Sequence, residues 1–459
     1  MSDNQDQTGI LRQTFNEVTT PFKDLFKTSK ALFGINLSYL FEGLTYFGML
    51  TLLALFFNQS LKLTDIQASP MVGFLTGGIT IAMLFLGATV DFMGIRKALL
   101  IALSTMMVGR IIVTLSPLIG GDTGMWSNSH LIAMGGIVGI IIGYGIYQPA
   151  CYTAVKKLTN AKTSAMGFAM LYALMNLGGF LPGFISPPVR DKFGITGVFW
   201  VYVLLTFTGI LIVLFLLTKA TLKKALDENN TIEIEEKETK SEAPLKQRIF
   251  NYAKRFPYND YRFLFFIFIL IPVQTLFAHN WLTLPQYCSR AFSGVVSEYF
   301  EFFVNLNPIF IFILTPAIAA LTSKKHTYKM MIYGTIVMAS APFLLVLGPN
   351  TTILMLYIIV LTIGEAMWQP RFLQWVAEIA PKDMTGIYMG LGQFPWFLTK
   401  VLTSFYSGWF LTKYCPTGVP PQATQTEFMW LIYGIIAIAS PVGLILARKW
   451  MLKGFKEQH

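Results

Sequence analysis

Charged side chains are scarce in this sequence: Asp, Glu, Lys and Arg make up 13% of 459 residues, against 54% apolar types. A soluble chain of that length needs a far more polar surface, so a mean hydropathy of +0.55 reads as an integral membrane protein. Cysteine is nearly absent. Cys151, Cys288 and Cys415 are scattered without metal-ligand spacing, so neither a disulfide framework nor a zinc site is indicated. No Ser/His, His/Asp or metal-ligand cluster stands near a membrane face, and no G-x-x-x-x-G-K-[ST] occurs, which argues against an enzyme and an ATP-driven pump. The opening MSDNQDQTGILRQTFNEV also lacks a short apolar core before a small-residue cleavage site, so the first span is expected to direct insertion itself.

What is present is a series of apolar runs of about 20 residues, each long enough for ~30 Å of hydrocarbon. They predict twelve spans, at about 31–57, 67–90, 97–118, 130–155, 164–188 and 195–218, then 262–287, 297–322, 328–347, 351–378, 384–412 and 427–450. The chain divides accordingly. Residues 1–30 are a polar, amphipathic lead, 31–218 a first six-helix half, 219–261 a charged linker, 262–450 a second half and 451–459 a tail. The linker, with DENNTIEIEEKETKSE, has too little apolar surface for a core. Lys and Arg concentrate on alternate loops, the linker and the C-terminal end, which predicts both termini and the linker on the cytoplasmic side. The net charge of +11 is read as this topology and not as a nucleic-acid patch. A monomer surrounded by lipid is expected, in the plasma membrane or the inner membrane of a Gram-negative cell.

The loop after the second span reads GATVDFMGIRKAL. Its Gly87, Asp91, Gly94, Arg96 and Lys97 resemble the major facilitator signature G-x-x-x-D-x-x-G-x-[RK]-[RK]. The resemblance implies a major facilitator fold, with this loop gating the cytoplasmic side and Arg96 pairing with acids there. Four further stretches narrow it to the proton-coupled oligopeptide transporters. In the first span, Glu42, Tyr46 and Gly48 keep part of E-x-x-E-R-F-x-Y-Y-G, while Tyr39 and Gly43 replace its first Glu and its Arg. In the fourth, GYGIYQP is similar to G-x-G-x-x-K-P with Gln148 in place of Lys. Asn307, Pro308 and Pro316 resemble the eighth-span N-P-x-x-I-x-x-x-x-P pattern, and Glu365, Pro370, Leu373, Ala380 and Pro381 the tenth-span S-E-L-x-x-S-P-x-G-L-x-x-x-x-x-x-A-P pattern. Asn176 falls in an N-L-G of the fifth span.

An ionisable group inside a span is expensive and is read as functional by default. Glu42 and Glu365 are therefore the candidates for proton coupling, with the proton as coupling ion and no other cofactor. The resemblance implies that Glu365 and Asn307 hold a substrate amine, and that Tyr46, Tyr147, Gln148, Asn176 and Lys400 contribute to the site. Tyr39, Gln274, Trp281, Gln369 and Trp396 would complete a mixed aromatic and amide lining, though such residues also glue helices together. Arg110 is a candidate partner for Glu42; Arg371 or Lys400 could pair with Glu365. His279 titrates near neutrality or is simply a satisfied polar residue. The reading is a transporter working by alternating access, taking up peptides or peptide-like amino compounds with protons. Two alternatives stay open: a related transporter of another solute, uncoupled or exporting, and a non-transporting sensor on the same scaffold.

Overall fold

In the computed structural model the described residues are 29–87, 89–159, 164–229, 260–322, 325–379, 388, 391–392 and 394–453. The expected lead (1–28), most of the linker (230–259) and the end of the tail (454–459) lie outside them, as does the side chain of Asp91. The regular structure of the described residues is helical, joined by short loops and turns. The long ones are α1 Lys30–Gln59, α2 Asp65–Leu86, α3 Ile95–Ile119, α4 Asn128–Leu158, α5 Ser164–Phe180 and α6 Pro182–Leu216. After the linker come α7 Ile271–Leu282, α8 Leu306–Thr322, α9 Thr327–Leu345, α10 Thr351–Ile379, α11 Phe394–Tyr414 and α12 Thr426–Met451. Among the described residues, ten helical stretches are long and apolar enough to cross a membrane.

The helices break where the sequence removes backbone donors or frees φ. Leu270 and Thr283 separate Tyr261–Ile269, α7 and Leu284–Ala291, and each break stands just before Pro272 or Pro285 in the first turn of the next helix, where a missing N–H leaves no bond unmade. The expected span at 164–188 is α5 plus the start of α6. It ends at Gly194, whose φ of 66° favours glycine and lets the chain reverse. Within the expected linker, the first residues form a helix. Lys219–Asn229 is helical, capped by Thr218, whose hydroxyl accepts from Thr221 N at 3.1 Å. Its Leu222, Ala225 and Leu226 share one face and pack inward.

Glycines set how closely the helices approach. A Cβ on Gly109 of α3 would lie 2.5 Å from Gly136 O and 2.9 Å from Ile140 N of α4, backbone atoms that cannot rotate away. Such small-residue contact is how membrane helices pack without a hydrophobic drive. Gly109→Leu is expected to lower stability by at least ~1–3 kcal/mol, read as a fall in apparent Tm in detergent. Gly135→Leu, with nothing within 4 Å of its Cβ, is the control expected to change nothing.

Helices before and after the linker meet along two seams. On one, Gly73 of α2 faces Ser404 of α11 and Gly408 of α11 faces the Asp65 backbone. On the other, Gly179 faces Pro308, and Gly183 faces Phe302 in the short helix Phe300–Val304. Ion pairs tie both seams at one end of the molecule. Asp65 accepts from Arg290 Nη1 and Nη2 at 2.6 and 2.8 Å. Glu301, 1% exposed at its side chain, accepts from Arg190 Nε at 2.5 Å and Nη2 at 3.2 Å.

Candidate functional site

Between the seams lies a cavity of about 170 Å³. That is below the roughly 300–1,000 Å³ typical of sites for drug-sized ligands. Its walls come from both sides of the linker: Thr51 of α1, Tyr172 and Asn176 of α5, Asn280 and Trp281 of α7, Asn307 of α8, and Glu365 and Gln369 of α10. Asn305, at the break before α8, also lines it and accepts from Thr51 Oγ1 at 3.3 Å, joining the two sides over the cavity.

Among the described residues, Glu365 is the one charged residue lining these walls. It is 3% exposed, and its Oε2 accepts from Asn307 Nδ2 at 2.9 Å. The same Asn307 nitrogen donates to Thr362 Oγ1 at 3.0 Å, which fixes the amide so that its donor points at the carboxylate. Pro370, inside α10, removes one helical hydrogen bond little more than a turn beyond Glu365, whereas Pro308 stands in the first turn of α8, where its missing N–H leaves no bond unmade. Among the described residues Glu365 has no cationic partner, and its Oε1 has no donor. Asn280, 6% exposed, and Gln369 likewise face the cavity without a protein partner among those residues.

Glu42 stands elsewhere. Arg110 of α3 grips it with both ends of the guanidinium: Nη1 donates to Oε2 at 2.9 Å and Nη2 to Oε1. Nη1 also donates to Thr206 Oγ1 of α6 at 2.5 Å. Both charged residues are 2% exposed, and neither lines the cavity. This closed α1–α3–α6 knot is the ion-pair arrangement anticipated for Arg110 and Glu42.

Other anticipated site residues lie off the cavity walls. Tyr147 is fully buried, bonded to Ser38 Oγ at 2.9 Å and stacked on Tyr39 with ring centres 6.2 Å apart. Tyr46 packs on Tyr144, centres 4.9 Å apart. Gln148 donates to Tyr152 Oη at 2.9 Å. Asn176 does line the cavity, while its Nδ2 donates to Tyr172 O at 2.9 Å. Arg371 turns away from Glu365 and donates to Thr322 O at 2.8 Å. Lys400 is half-buried on α11, forms no ion pair among the described residues and is not a wall residue. His279 is fully buried with both ring nitrogens engaged, Nδ1 to Thr283 Oγ1 at 2.7 Å and Nε2 to Tyr406 Oη at 3.1 Å.

In the anticipated gating loop, Gly87 closes α2, and Gly94, with φ of 76°, precedes α3 in a conformation that favours glycine. Arg96 donates to Leu214 O at 3.4 Å, a carbonyl of the last turn of α6. Thr51, Tyr172, Asn280 and Asn305 stand on the walls without a sequence motif to mark them, and Arg190 and Arg290 fall between the predicted spans. Glu301 has no motif either, although an acid inside the aromatic run YFEFFV carries the same signal that drew attention to Glu42.

Known proteins resemble the chain in the same direction. A peptide transporter of Yersinia enterocolitica, YePEPT, is 27% identical over 192 residues, which is 39% of this chain and 36% of that protein. Dipeptide and tripeptide permease B of Salmonella typhimurium is 23% identical across 94% of this chain and 97% of its own. The crystal structure of peptide transporter POT in complex with sulfate superposes with a TM-score of 0.71 at 17% identity, covering 94% of this chain and 96% of that one, a likeness of fold. The sequence profile of the Major Facilitator Superfamily matches residues 35–404. Because that match takes in most of a multi-pass helical chain, the protein belongs to the Major Facilitator Superfamily, whose members are transporters and not enzymes.

Proposed function

We propose that this secondary transporter takes up small amino compounds, short peptides or their analogues among them, together with protons, by rocking two six-helix halves about the cavity. The observation that carries the reading is Glu365: a buried acid without a counter-ion among the described residues, beside a fixed donor, on the wall of a cavity between the halves. A buried carboxylate of that kind binds either a proton or a cationic amine, which is the exchange that coupling requires. The peptide transporters named above support the amine. The proposed twelve crossings follow if Met170–Leu216, 47 residues broken at Gly194, is counted as two and α11 is added. Both termini and the linker are then cytoplasmic by the distribution of Lys and Arg, in a monomer of the plasma or inner membrane.

On this reading Glu365 carries the proton and Glu42 holds α1, α3 and α6 together. Two assays in proteoliposomes test it. Counterflow of a labelled amine should occur without any gradient, and an inward proton gradient should drive accumulation. Glu42→Gln is expected to keep gradient-driven accumulation, whereas Glu365→Gln loses it. Loss of accumulation with intact counterflow in Glu42→Gln would return the coupling role to Glu42. Binding without counterflow would mark a sensor.

A further inference from the structure

Every cationic side chain deep in the predicted spans can be followed, because the sequence supplies so few: Arg110, His279, Arg371 and Lys400. Arg110 is spent on Glu42 and Thr206, His279 on Thr283 and Tyr406, and Arg371 reaches the Thr322 carbonyl. Lys400 does not stand among the wall residues of the cavity. The site is also closed to a cation where one could have projected from α1. Gly43 lies against α5, where its Cβ would sit 3.3 Å from Met175 O, and a Cβ on Gly178 would lie 2.8 Å from Leu44 N. That close helix approach leaves the first carbon of a side chain at position 43 little room, and Gly43 is not among the wall residues.

What faces the cavity instead is one carboxylate surrounded by neutral amides. Asn280 and Gln369 have no protein partner among the described residues, and the indole nitrogen of Trp281 is buried without one. Buried polar groups of this sort are normally satisfied, so they are available to a ligand. Their chemistry suits an uncharged amide or hydroxyl. A substrate carboxylate would meet no positive charge among the described wall residues and would be brought toward Glu365, a like-charge contact inside a low-dielectric site.

From these placements, and resting on the amine reading above, we infer that the preferred substrate is a small amine without a free carboxylate: its ammonium binds Glu365 Oε1 and its neutral polar groups bind Asn280 and Gln369. An amino-acid amide or an amidated dipeptide has this pattern; a zwitterionic peptide does not. The limited cavity volume favours the smaller members of the class.

Matched probes test it on the purified full-length protein by thermal shift, repeated as competition for counterflow: L-leucinamide, L-leucine, N-acetyl-L-leucinamide, Ala-Ala and Ala-Ala amide. Leucinamide and Ala-Ala amide are expected to bind at least ~30-fold more tightly than leucine and Ala-Ala, the discrimination that an unpaired buried charge produces. N-acetyl-leucinamide should not bind. Lys400→Met should leave the preference unchanged. Equal or tighter binding of the zwitterions would overturn the inference while leaving amine transport standing, and loss of that binding in Lys400→Met would assign the carboxylate to Lys400. Binding of the acetylated probe as tight as leucinamide, or of no amine at all, would overturn the amine reading together with this one.

Discussion

Glu365→Gln is expected to weaken binding of amine-bearing solutes by between ~30-fold and ~5,000-fold, the range that follows from ~2–5 kcal/mol for truncating one partner of a buried charged hydrogen bond. The substitution keeps the shape of the side chain, and its amide oxygen can still accept from Asn307 Nδ2, so the α8–α10 contact at 2.9 Å survives. What is removed is the charge that an ammonium recognises. Solutes of similar size without an amine should bind the variant as they bind the unaltered protein. Isothermal titration with both kinds of solute checks this. An equal loss for both would mean that Glu365 supports the wall and does not recognise the amine. Gradient-driven accumulation should vanish in the same variant, because an amide cannot take up the coupling proton.

The second large effect is on stability. Arg110→Met should destabilise the protein by ~3–5 kcal/mol, since it leaves the Glu42 carboxylate buried without its two donors and frees Thr206 Oγ1. The double substitution Glu42→Leu with Arg110→Met should recover most of the loss, because an apolar pair of similar volume needs no compensation. Apparent Tm in one detergent, compared across the two single variants and the double, gives the coupling between the residues. Additive effects would show that the knot in the crystal-like core of α1, α3 and α6 contributes little beyond the volumes of its side chains.

Much of the fold was legible because a membrane span announces itself locally. Twenty apolar residues need no partner to be recognised, and the breaks at Pro272, Pro285 and Gly194 follow from backbone chemistry within a few residues of each. The pairing of charges was less legible. Asp65 meets Arg290 and Arg190 meets Glu301 across more than a hundred residues of sequence. Asp65, Arg190 and Arg290 fall between predicted spans and Glu301 within one, and nothing in local periodicity says that they close on each other. Arg371 shows the same limit from the other side. It follows Glu365 by six positions, nearly two helical turns, yet its long stem carries the guanidinium toward the end of α8. Asn307 and Glu365 were nameable from resemblance, but their separation of 2.9 Å depends on how α8 and α10 pack. The helical start of the linker was hidden by the charged run after it, although Leu222, Ala225 and Leu226 carry the spacing of one helix face.

The Glu42–Arg110 knot has an electrical consequence. A transmembrane voltage does work on net charge, ~2.3 kcal/mol per elementary charge per 100 mV. A bidentate pair sums to zero, so however far α1, α3 and α6 tilt during the cycle, the membrane field neither assists nor opposes them through these residues. On the proposed reading, Glu365, which has no such counter-ion among the described residues, changes the charge of α10 each time it gains a proton or an amine. The voltage sensitivity of transport is then expected on the side of the molecule that follows the linker, and an electrogenic current should disappear with Glu365 and persist without the knot.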